Sequence, residues 1–523
     1  MKRDHLLGLL QSKPTKVWDM IVIGGGATGL GVAVDAAARG YSVVLFEQSD
    51  FSKGTSSRST KLVHGGVRYL AQGDISLVLE ALRERGLLRQ NAPHLVKNQA
   101  FVIPSYDWWD GPFYTVGMKV YDMMAGKLGL GPSERISREE TLKAIPNLDE
   151  EGLNGGVIYY DGQFDDARLA VNLAQTAVEN GGIVLNYMKV TGLLKDKQKL
   201  IKGVRVRNEE NGEEFKVYAK VVVNATGVFV DDILHMDDPQ APKLVRPSQG
   251  VHIVLDKSFL QSDFAIMIPK TADGRVLFAV PWHDKVVLGT TDTPVEETTL
   301  EPRALEEEID FILGTAARYL KQDPTRKDAL SVFAGLRPLA APQGDEQSTK
   351  EISRSHKLIV SLSGLVTITG GKWTTYRKMA EDTVNKAALM GGLDERKCPT
   401  ESMPIHGYVR NTDFNKPLYF YGADRASLTD IIEEQPKWAD KLHPDYAFIK
   451  AQVVWAVRAE MARTVEDFLA RRIRILLLDA RASIKMAPEV AFIMAREMDY
   501  DHVWVSEQTE QYISLAREYL LDE

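Results

Sequence analysis

The chain is poor in cysteine and has no long apolar run. Its single cysteine, Cys398, excludes an internal disulfide bond and is typical of a reducing compartment, where we expect it to pack or stay idle. No stretch is long enough to span a bilayer, and the apolar run in the opening MKRDHLLGLLQSK is too short for a signal peptide. We therefore expect a cytoplasmic protein whose membrane contact, if it has any, is peripheral, on the cytoplasmic face of the cell membrane.

A surplus of basic charge is missing as well. The chain has 64 Lys and Arg against 72 Asp and Glu, a net charge of −8, which argues against bulk nucleic-acid binding. Hydrophobic residues at 44% and charged residues at 26% are typical of a soluble globular protein. A length of 523 residues exceeds one ordinary core, so the chain predicts two or three domains.

The strongest pattern lies between Asp19 and Glu47, in DMIVIGGGATGLGVAVDAAARGYSVVLFE. An apolar strand leads into a G-x-G-x-x-G turn, a helix of small residues and a second apolar strand that ends on an acid. Glycines allow close approach to a pyrophosphate, the helix N-terminus offers free N–H groups, and Glu47 can bind a ribose. A purely structural glycine turn does not explain the acid at this distance. The parts are a strand over residues 20–23, Gly24, Gly26 and Gly29, a helix over residues 30–38 capped by Gly40, and a strand over residues 41–46.

Three further features favour FAD over NAD as the nucleotide. The motif lies near the N-terminus, and no second G-x-G-x-x-G follows for a nicotinamide partner. The chain also returns twice to loops at strand ends, NATG at residues 224–227 and GGKWTT at residues 370–375, as if wrapping one large molecule. KVVVNATG predicts a strand buried on both faces of a parallel sheet. The glycines of GGKWTT precede a predicted helix from near Thr374, with further free N–H groups at its start.

The remaining pattern indicates the fold class. Between residues 247 and 293, short strands separated by turn residues predict a mostly antiparallel sheet, and past Pro399 the apolar spacing is helical. We therefore assign the chain to the α/β class, with a Rossmann-like FAD-binding domain, an antiparallel β-sheet substrate domain and an all-α C-terminal domain. The predicted boundaries are an N-terminal extension at 1–17, FAD-binding segments at 18–95, 155–235 and 346–390, a substrate or cap segment at 96–154, the substrate domain at 236–345 and the helical domain at 391–523.

Three segments allow two interpretations each. The polar loop after Glu47 suits either ligand binding or a solvated surface. An aromatic stretch is more typical of burial under a domain interface than of a patch touching lipid or a quinone. A set of C-terminal arginines is more typical of a solvated helix face than of a partner-binding or lipid-facing stripe. The aromatic stretch comprises Tyr106, Trp108, Trp109, Phe113, Tyr114 and Tyr121 with Met118, Met123 and Met124, and the arginines are Arg463, Arg471, Arg472, Arg474 and Arg481.

Five motifs together resemble the FAD-dependent glycerol-3-phosphate dehydrogenases, within the glycine-oxidase and D-amino-acid-oxidase fold superfamily. They are GGGATGLGVAVDAAARG, TSSRSTKLVHGGVRYL, NATG, GLRPL and GGKWTTYRK, and the resemblance covers residues 18–390 and, loosely, the helical C-terminal region. It implies noncovalent, extended FAD and oxidation of sn-glycerol 3-phosphate to dihydroxyacetone phosphate by hydride transfer to flavin N5. Electrons then pass to membrane quinone, or to oxygen in related oxidases. Those oxidases carry a mid-chain insertion for which we see no room, and a homodimer without a bound metal is expected.

This reaction needs cations for a phosphate dianion and a base for the hydroxyl proton. The candidate cations are Arg68, Arg337, Arg354 and Lys372, each of which a structural ion pair would also explain. The candidate bases are His64, preferred for its Gly-flanked loop, and His252, which a satisfied core histidine explains as well. Nearby cations would lower the pKa of either imidazole and keep it able to accept a proton. Arg337 and Lys372 are counted with the two histidines as catalytic candidates.

The resemblance also implies a set of FAD contacts. Within the glycine turn they include Ala27 and Thr28, beside the glycines themselves. Trp373 departs from the family pattern, where a smaller aliphatic residue is common, and this puts the packing near the flavin pyrimidine edge in question. The remaining contacts are Glu47 and Gln48 at the ribose, Thr55, Ser56 and Ser59 at the pyrophosphate, Lys61, Leu62 and His64 at the isoalloxazine, and Val190, Ala225, Gly227, Gly371, Lys372 and Thr374 around the molecule.

Two other functions remain open. A flavoenzyme acting on a 2-hydroxy acid or amino acid would need one arginine for a carboxylate and not a cluster of cations. A non-catalytic, flavin-bound interaction protein would use its helical C-terminal region to recruit a partner, but a structural flavin has no need of phosphate-binding arginines.

Overall fold

Two β-sheets flanked by helices organise the described part of the chain. The computed structural model describes residues 1–66, 74–107, 110–269, 271, 276–340 and 356–521. The strands are β1 Val17–Ile23, β2 Val43–Phe46, β3 Leu62–Val63, β4 Val96–Ser105, β5 Glu134–Ser137, β6 Gly155–Phe164, β7 Ile183–Leu185, β8 Met188–Lys195, β9 Ile201–Asn208, β10 Glu214–Asn224, β11 Val245–Asp256, β12 Ala265–Ile268, β13 Leu277–Trp282, β14 Lys285–Gly289, β15 Thr293–Pro294, β16 Ser331–Ala340, β17 His356–Val360 and β18 Val366–Gly370. The helices are α1 Arg3–Gln11, α2 Ala27–Ala38, α3 Ile75–Asn91, α4 Asp110–Ala125, α5 Arg138–Ala144, α6 Asp166–Glu179, α7 Val230–Asp237, α8 Glu306–Ala317, α9 Tyr376–Met390, α10 Arg425–Glu434, α11 Lys450–Ala459, α12 Ile475–Leu478, α13 Ala480–Met498 and α14 His502–Arg517.

Some residues singled out in the sequence lie outside the described residues. They include two of the four candidate substrate cations, Arg68 and Arg354. Trp108 and Trp109 of the aromatic stretch, and the side chain of Phe113, are outside as well.

The first sheet is built around β1, and the predicted βαβ unit is confirmed. β1 pairs in parallel with β2 on one side and with β10 on the other, and β10 pairs in parallel with β18. The order is β17–β18–β10–β1–β2–β7, with β9 antiparallel to β10 and β8 antiparallel to β9. The carboxyl ends of β1, β2, β10 and β18 therefore meet at one edge, which is where parallel α/β sheets bind ligands.

The second sheet is mostly antiparallel, as predicted for residues 247–293. Its order is β15–β11–β14–β13–β12–β4–β6–β3, with β16 beside β11 and β5 beside β6, and only the β12–β4 pair among these ladders is parallel. The FAD-binding segment predicted to begin at residue 155 opens with β6, which belongs to this second sheet. The difference arises because β6 pairs with β4 along its whole length, a partner that the local pattern does not identify.

Three hydrophobic clusters hold these layers together. The first joins the first sheet and helices α2, α6 and α9 to the C-terminal helices α11–α14. The second packs α5 and α8 against the second sheet, and the third lies between that sheet and helices α3 and α4. The predicted helical region thus shares its core with the nucleotide-binding sheet.

Three of the C-terminal arginines are buried, so the favoured prediction of a solvated face is wrong for them. Arg471 and Arg472 both pair with Asp50, and Arg474 pairs with Asp165. The three arginine side chains are at most 3% exposed. A buried guanidinium is costly unless a carboxylate matches it, and these carboxylates come from distant parts of the chain that helical spacing does not reveal.

The segment that leads into these arginines begins with a capping box. The backbone N–H of Thr464 donates to the Asp467 carboxylate at 3.0 Å, and the Asp467 N–H donates to the Thr464 hydroxyl at 3.2 Å. The other two arginines also have partners. Arg463 pairs with Glu210, and Arg481 donates to a backbone carbonyl.

The part of the aromatic stretch from Phe113 onward lies on α4, which has one buried and one exposed face. Met118 and Tyr121 are buried in the third cluster, so burial is confirmed for them. Met123 is 78% exposed and Val116 is 67% exposed, so burial is wrong for Met123. An amphipathic helix packed on a sheet explains both results, because one side of the helix contacts the core and the opposite side contacts solvent. Among the helices of the described ranges, none combines the length and apolar composition needed to cross a bilayer.

The Cys398 thiol contacts two polar side chains. Its sulfur is 3.0 Å from the Asp35 carboxylate and 3.1 Å from the Thr400 hydroxyl. Burial, followed by the nearby Asp35, raises the pKa of the thiol, which disfavours the reactive thiolate.

Candidate active site

A cavity of about 700 Å³ is lined by residues of both sheets. One part lies at the carboxyl ends of β1, β2, β10 and β18, and another lies against β11, β13 and β16. This volume is typical of a ligand site. The site residues named from the sequence that line it are Gly24, Gly26, Ala27, Thr28, Glu47, Gln48, Thr55, Ser56, Ser59, Leu62, His64, Val190, Ala225, Gly227, His252, Arg337, Gly371, Lys372 and Thr374.

The glycine turn builds the nucleotide end of the cavity. Gly24 has φ +108°, and a Cβ there would lie 2.6 Å from the carbonyl oxygen of Ala225, so only glycine fits between β1 and β10. α2 begins at Ala27, whose N–H donates to the Ser56 hydroxyl at 2.9 Å. Gly29 does not line the cavity, but a Cβ on it would clash with the backbone of the turn. The turn therefore presents a helix N-terminus to the cavity, a feature that favours anions.

Glu47 directly follows β2 and faces the same cavity. One carboxylate oxygen accepts the Gly25 N–H at 2.6 Å, and the other accepts the Ser49 N–H at 2.9 Å. Burial raises the pKa of Glu47, while these two N–H groups oppose that shift. Each oxygen retains lone pairs, so the carboxylate can brace the turn and still accept a ribose hydroxyl.

Lys61 does not line the cavity, which corrects its predicted place beside the isoalloxazine. Its ammonium is fully buried and donates to the Ser57 carbonyl at 2.5 Å and the Asp166 carboxylate at 2.7 Å. The backbone at Lys61 is left-handed, with φ 63°. Lys61 thus supports the cavity wall from behind.

Two of the candidate cations line the cavity. Arg337 lies on β16, where its guanidinium donates to the Gln249 carbonyl at 3.2 Å and the Thr290 hydroxyl at 3.0 Å. Asp292 lies 3.4 Å from the same guanidinium. Lys372 follows β18 and is half-buried in the cavity wall. The structure therefore places two cations from distant segments at one cavity, as an anionic ligand requires.

His252 lies on β11 at this cavity and is 2% exposed. Its Nε2 atom is 2.9 Å from the Thr60 hydroxyl, and its ring stacks on Phe333 with 4.9 Å between the centroids. Burial lowers its pKa well below the usual value, and the charges of Lys61 and Arg337 add to the effect. The imidazole is consequently neutral near pH 7. The two cations thus shift the pKa in the direction that we expected from the sequence.

His64 also lines the cavity, from the loop after β3. Its side chain is half-buried, and its backbone N–H donates to the Thr374 hydroxyl at 3.3 Å. The next residue, Gly65, donates to the Tyr121 hydroxyl at 2.8 Å and to Asp161 at 3.3 Å. Both candidate bases therefore face one space, His64 from a braced loop and His252 from a strand.

Several cavity residues escape prediction from the sequence. The pairing of Arg337 with Thr290 and Asp292 joins β16 to the loop after β14, and the only local signal is the polar TTD following an apolar strand. Trp373, the departure from the family pattern, donates from Nε1 to the Ser56 carbonyl at 2.8 Å. Its indole thus fixes a segment named for pyrophosphate binding. Across the described residues, no group of three or more His, Cys, Asp or Glu side chains is placed to hold a metal ion.

Two protein-family models match this chain. A family model described as FAD dependent oxidoreductase matches residues 19–377, and one described as the C-terminal domain of alpha-glycerophosphate oxidase matches residues 365–503. A mitochondrial glycerol-3-phosphate dehydrogenase of Schizosaccharomyces pombe is 39% identical, covering 96% of this chain and 87% of that protein. Its counterpart in Arabidopsis thaliana is 41% identical over 96% of this chain and 86% of that protein.

A solved structure shows the same fold over nearly the whole chain. It is that of a glycerol-3-phosphate dehydrogenase from Bacillus halodurans, complexed with FAD. The TM-score is 0.81 at 29% identity, covering 99% of this chain and 97% of that chain.

Proposed function

This chain belongs to the FAD-dependent glycerol-3-phosphate dehydrogenase family, and we therefore propose that it oxidises sn-glycerol 3-phosphate to dihydroxyacetone phosphate, with a membrane quinone as final electron acceptor. The observation that carries the proposal is one cavity that joins the glycine turn after β1 to Arg337, Lys372 and two histidines. A nucleotide site and a cationic site with a base are the two parts that this reaction needs.

The residues at the nucleotide end fit FAD. The turn after Gly24 leaves room for a pyrophosphate at the start of α2, and Glu47 offers carboxylate oxygens at the neighbouring strand end. Thr55 and Ser56 line the cavity beside the turn, and Trp373 holds Ser56 in place. When bound, FAD supplies the hydride acceptor, its N5 atom, which no side chain can provide.

Arg337 and Lys372 would bind and orient the substrate phosphate. Arginine offers paired N–H donors that match a phosphate, and lysine adds a compact charge. The contacts to Gln249, Thr290 and Asp292 fix the guanidinium in one orientation before any ligand arrives. Asp292 also offsets part of the charge of Arg337, so the pocket holds the dianion without an excess of buried cations.

We propose His252 as the base that takes the hydroxyl proton, in place of His64. Its ring is held by Thr60 and Phe333, and its lowered pKa keeps it neutral. A dianion bound at Arg337 would raise that pKa towards neutrality, so the base would gain strength as the substrate arrives. His64 would then help to shape the site from the opposite loop.

We propose that the membrane side is the outer face of α3 and α4. Exposed apolar side chains lie on both helices, which pack against each other over the third hydrophobic cluster. A contiguous apolar face on a protein surface favours contact with lipid or a partner, and a quinone resides in lipid. These side chains are Ile75 at 55%, Leu79 at 46%, Val116 at 67%, Val120 at 39% and Met123 at 78% exposure.

Oxygen is the alternative acceptor. It is favoured by the match of residues 365–503 to a domain described from alpha-glycerophosphate oxidase. Peripheral placement on the cytoplasmic face of a membrane belongs to the quinone version of the proposal, whereas an oxidase needs no membrane.

The test is anaerobic mixing of purified protein with sn-glycerol 3-phosphate while flavin absorbance is followed. We expect bleaching of the flavin, then rapid recovery on addition of a soluble quinone analogue and slow recovery with oxygen. Faster recovery with oxygen than with the quinone would favour the oxidase. Faster bleaching by a 2-hydroxy acid or amino acid would replace the substrate, and a flavin that no such substrate bleaches would mark a non-catalytic protein.

A further inference from the structure

The loop between β2 and β3, residues 47–61, has two functional sides. We name it the cavity loop. One side lines the proposed cofactor cavity, and the other side contacts the C-terminal helical region. The cavity-lining members are Glu47, Gln48, Ser52, Lys53, Gly54, Thr55, Ser56, Arg58, Ser59 and Thr60.

Asp50 anchors the first part of the cavity loop to the C-terminal region. Its carboxylate accepts two bonds from Arg472, at 2.8 and 2.9 Å, and one from Arg471 at 2.6 Å. Burial alone would raise the pKa of Asp50, but Arg472 and Arg471 lower it, so the carboxylate is ionised. The anchor is therefore a fully buried, charge-assisted contact.

Glu466 extends this anchor to the cavity wall. One of its oxygens accepts from Arg471 at 2.7 Å, and the other accepts from the Lys53 ammonium at 2.8 Å. Lys53 itself lines the cavity. A carboxylate of the C-terminal region thus sets the position of a cavity cation.

Arg58 is held in a similar way, with a contribution from Tyr519 in the C-terminal region. Its guanidinium donates to Glu301 at 2.6 Å, and the Tyr519 hydroxyl donates to the same carboxylate oxygen at 3.0 Å. The ammonium of Lys53 lies 3.8 Å from Glu301 as well. The two cations of the cavity loop that line the cavity, Lys53 and Arg58, are therefore positioned by groups outside the loop, two of which belong to the C-terminal region.

We propose that the C-terminal helical region is a working part of the cofactor site, with Glu466 and Tyr519 as positioning residues for Lys53 and Arg58. The two cations lie in the same cavity wall as Ser56, which binds the first N–H of α2 at the anion-binding end. Their field favours a bound diphosphate only while they are held at the wall. This inference rests on the FAD site proposed above.

The direction of the effect separates positioning from simple charge. If Glu466 acted only as a negative charge near the cavity, its neutralisation would strengthen binding of the anionic cofactor. Positioning predicts the opposite, because the cavity loop loses its support. We expect Glu466→Gln to weaken FAD binding by about 5- to 150-fold, the usual range of coupling between two sites.

Coupling is reciprocal, and this gives a second readout. If the C-terminal region tightens FAD binding, FAD must protect that region by the same factor. Hydrogen exchange of residues 460–475, measured on the full chain with and without FAD, should slow on binding. No change in exchange would contradict the proposal.

The experiment compares the FAD dissociation constant and the rate of flavin release in full-length variants, by flavin fluorescence. Glu466→Gln and the milder Tyr519→Phe are the tests. Glu497→Gln is the matched control, because Glu497 pairs with Arg458 at 2.6 Å in the same region but away from the cavity. We expect weaker binding and faster release in both test variants and values within about twofold of the original in the control.

The outcomes are distinct. Unchanged or tighter binding in both test variants overturns the inference, as does equal weakening in the control. Should Glu466→Gln not fold, Tyr519→Phe and the exchange data decide alone. If the unaltered chain binds no FAD, the cofactor site itself is wrong, and the failure is of the proposed function.

Discussion

The Nε2 atom of His252 lies 2.9 Å from the hydroxyl oxygen of Thr60, across 192 residues of sequence. In the described structure its Nδ1 atom is buried without a hydrogen-bond partner. One ring nitrogen is thus engaged by the protein, while the other has no partner among the described residues. Phe333, stacked on the ring, prevents it from turning.

Replacing His252 by Gln should slow flavin reduction by about 10²- to 10⁴-fold, the usual contribution of a general base. The amide keeps a hydrogen bond to Thr60 but accepts no proton, so FAD should remain bound. Stopped-flow reduction with sn-glycerol 3-phosphate measures the rate. His64→Gln is the comparison, and a larger loss in that variant would return the role to His64.

The pH behaviour of His252 should differ from that of an exposed histidine. A lowered pKa means that the ring stays neutral as the pH falls through its usual value and protonates only well below it. The unfolded chain takes up that proton first, so unfolding free energy should decline below about pH 6.5. Ring resonances in a histidine NMR titration of the substrate-free holoenzyme, assigned with His252→Gln, test this. A midpoint near 6.5 would disprove it.

Arg337→Ala should raise KM and slow turnover while leaving FAD in place. A hydrogen bond to a charged group contributes roughly 1.5–3 kcal/mol, which corresponds to a loss of about 10- to 150-fold in kcat/KM. Steady-state kinetics with flavin content measured in parallel provide the check. Arg326→Ala is the control, since that arginine pairs with Glu306 and Asp310 on the surface. Equal kinetics in both variants would remove Arg337 from the phosphate site.

Sequence reasoning predicted the parts of this site that are local in the chain. The glycine turn, the acid at the end of β2 and the buried strand before Ala225 each follow from a short pattern with one physical cause. Lys61 shows where that reasoning ends. The family resemblance implies a flavin contact for Lys61, but the orientation of its side chain depends on Asp166, more than a hundred residues away.

The prediction of a solvated face for the C-terminal arginines failed for a related reason. Arg472 lies in a segment with helical spacing, and an isolated helix of that composition would expose it. Its buried partner Asp50 lies next to the nucleotide-binding strand, so the pairing exists only once both regions share a core. Long-range charge pairs of this kind leave no periodic signal in a single sequence.

Trp373→Leu should weaken FAD binding, because the indole is both a donor and a packing surface. Its N–H holds the Ser56 carbonyl at 2.8 Å, and its ring meets Phe164 and Tyr376 edge-on. Loss of the hydrogen bond alone is worth about 0.5–1.5 kcal/mol, and loss of the ring contacts adds a similar amount. Equilibrium FAD titration measures the change. Trp373→Phe keeps the ring contacts and should lose less, and the reverse order would reject this account.

Glu47→Ala should release FAD more readily than any change at the substrate end. The carboxylate accepts two backbone N–H groups of the turn and its neighbouring loop, and it offers the remaining lone pairs to a ribose. Removing it leaves the Gly25 and Ser49 N–H groups without their acceptor, a penalty of about 1–3 kcal/mol for each buried donor. Flavin retained after dialysis is the measurement. Glu47→Gln keeps one acceptor oxygen, so its flavin retention should fall between that of Glu47→Ala and that of the unaltered protein. Glu401→Ala is the control: it breaks only an exposed pair with Arg83 and should retain all its flavin. Full retention in Glu47→Ala would mean that the turn holds its shape without the acid and that the ribose is bound elsewhere.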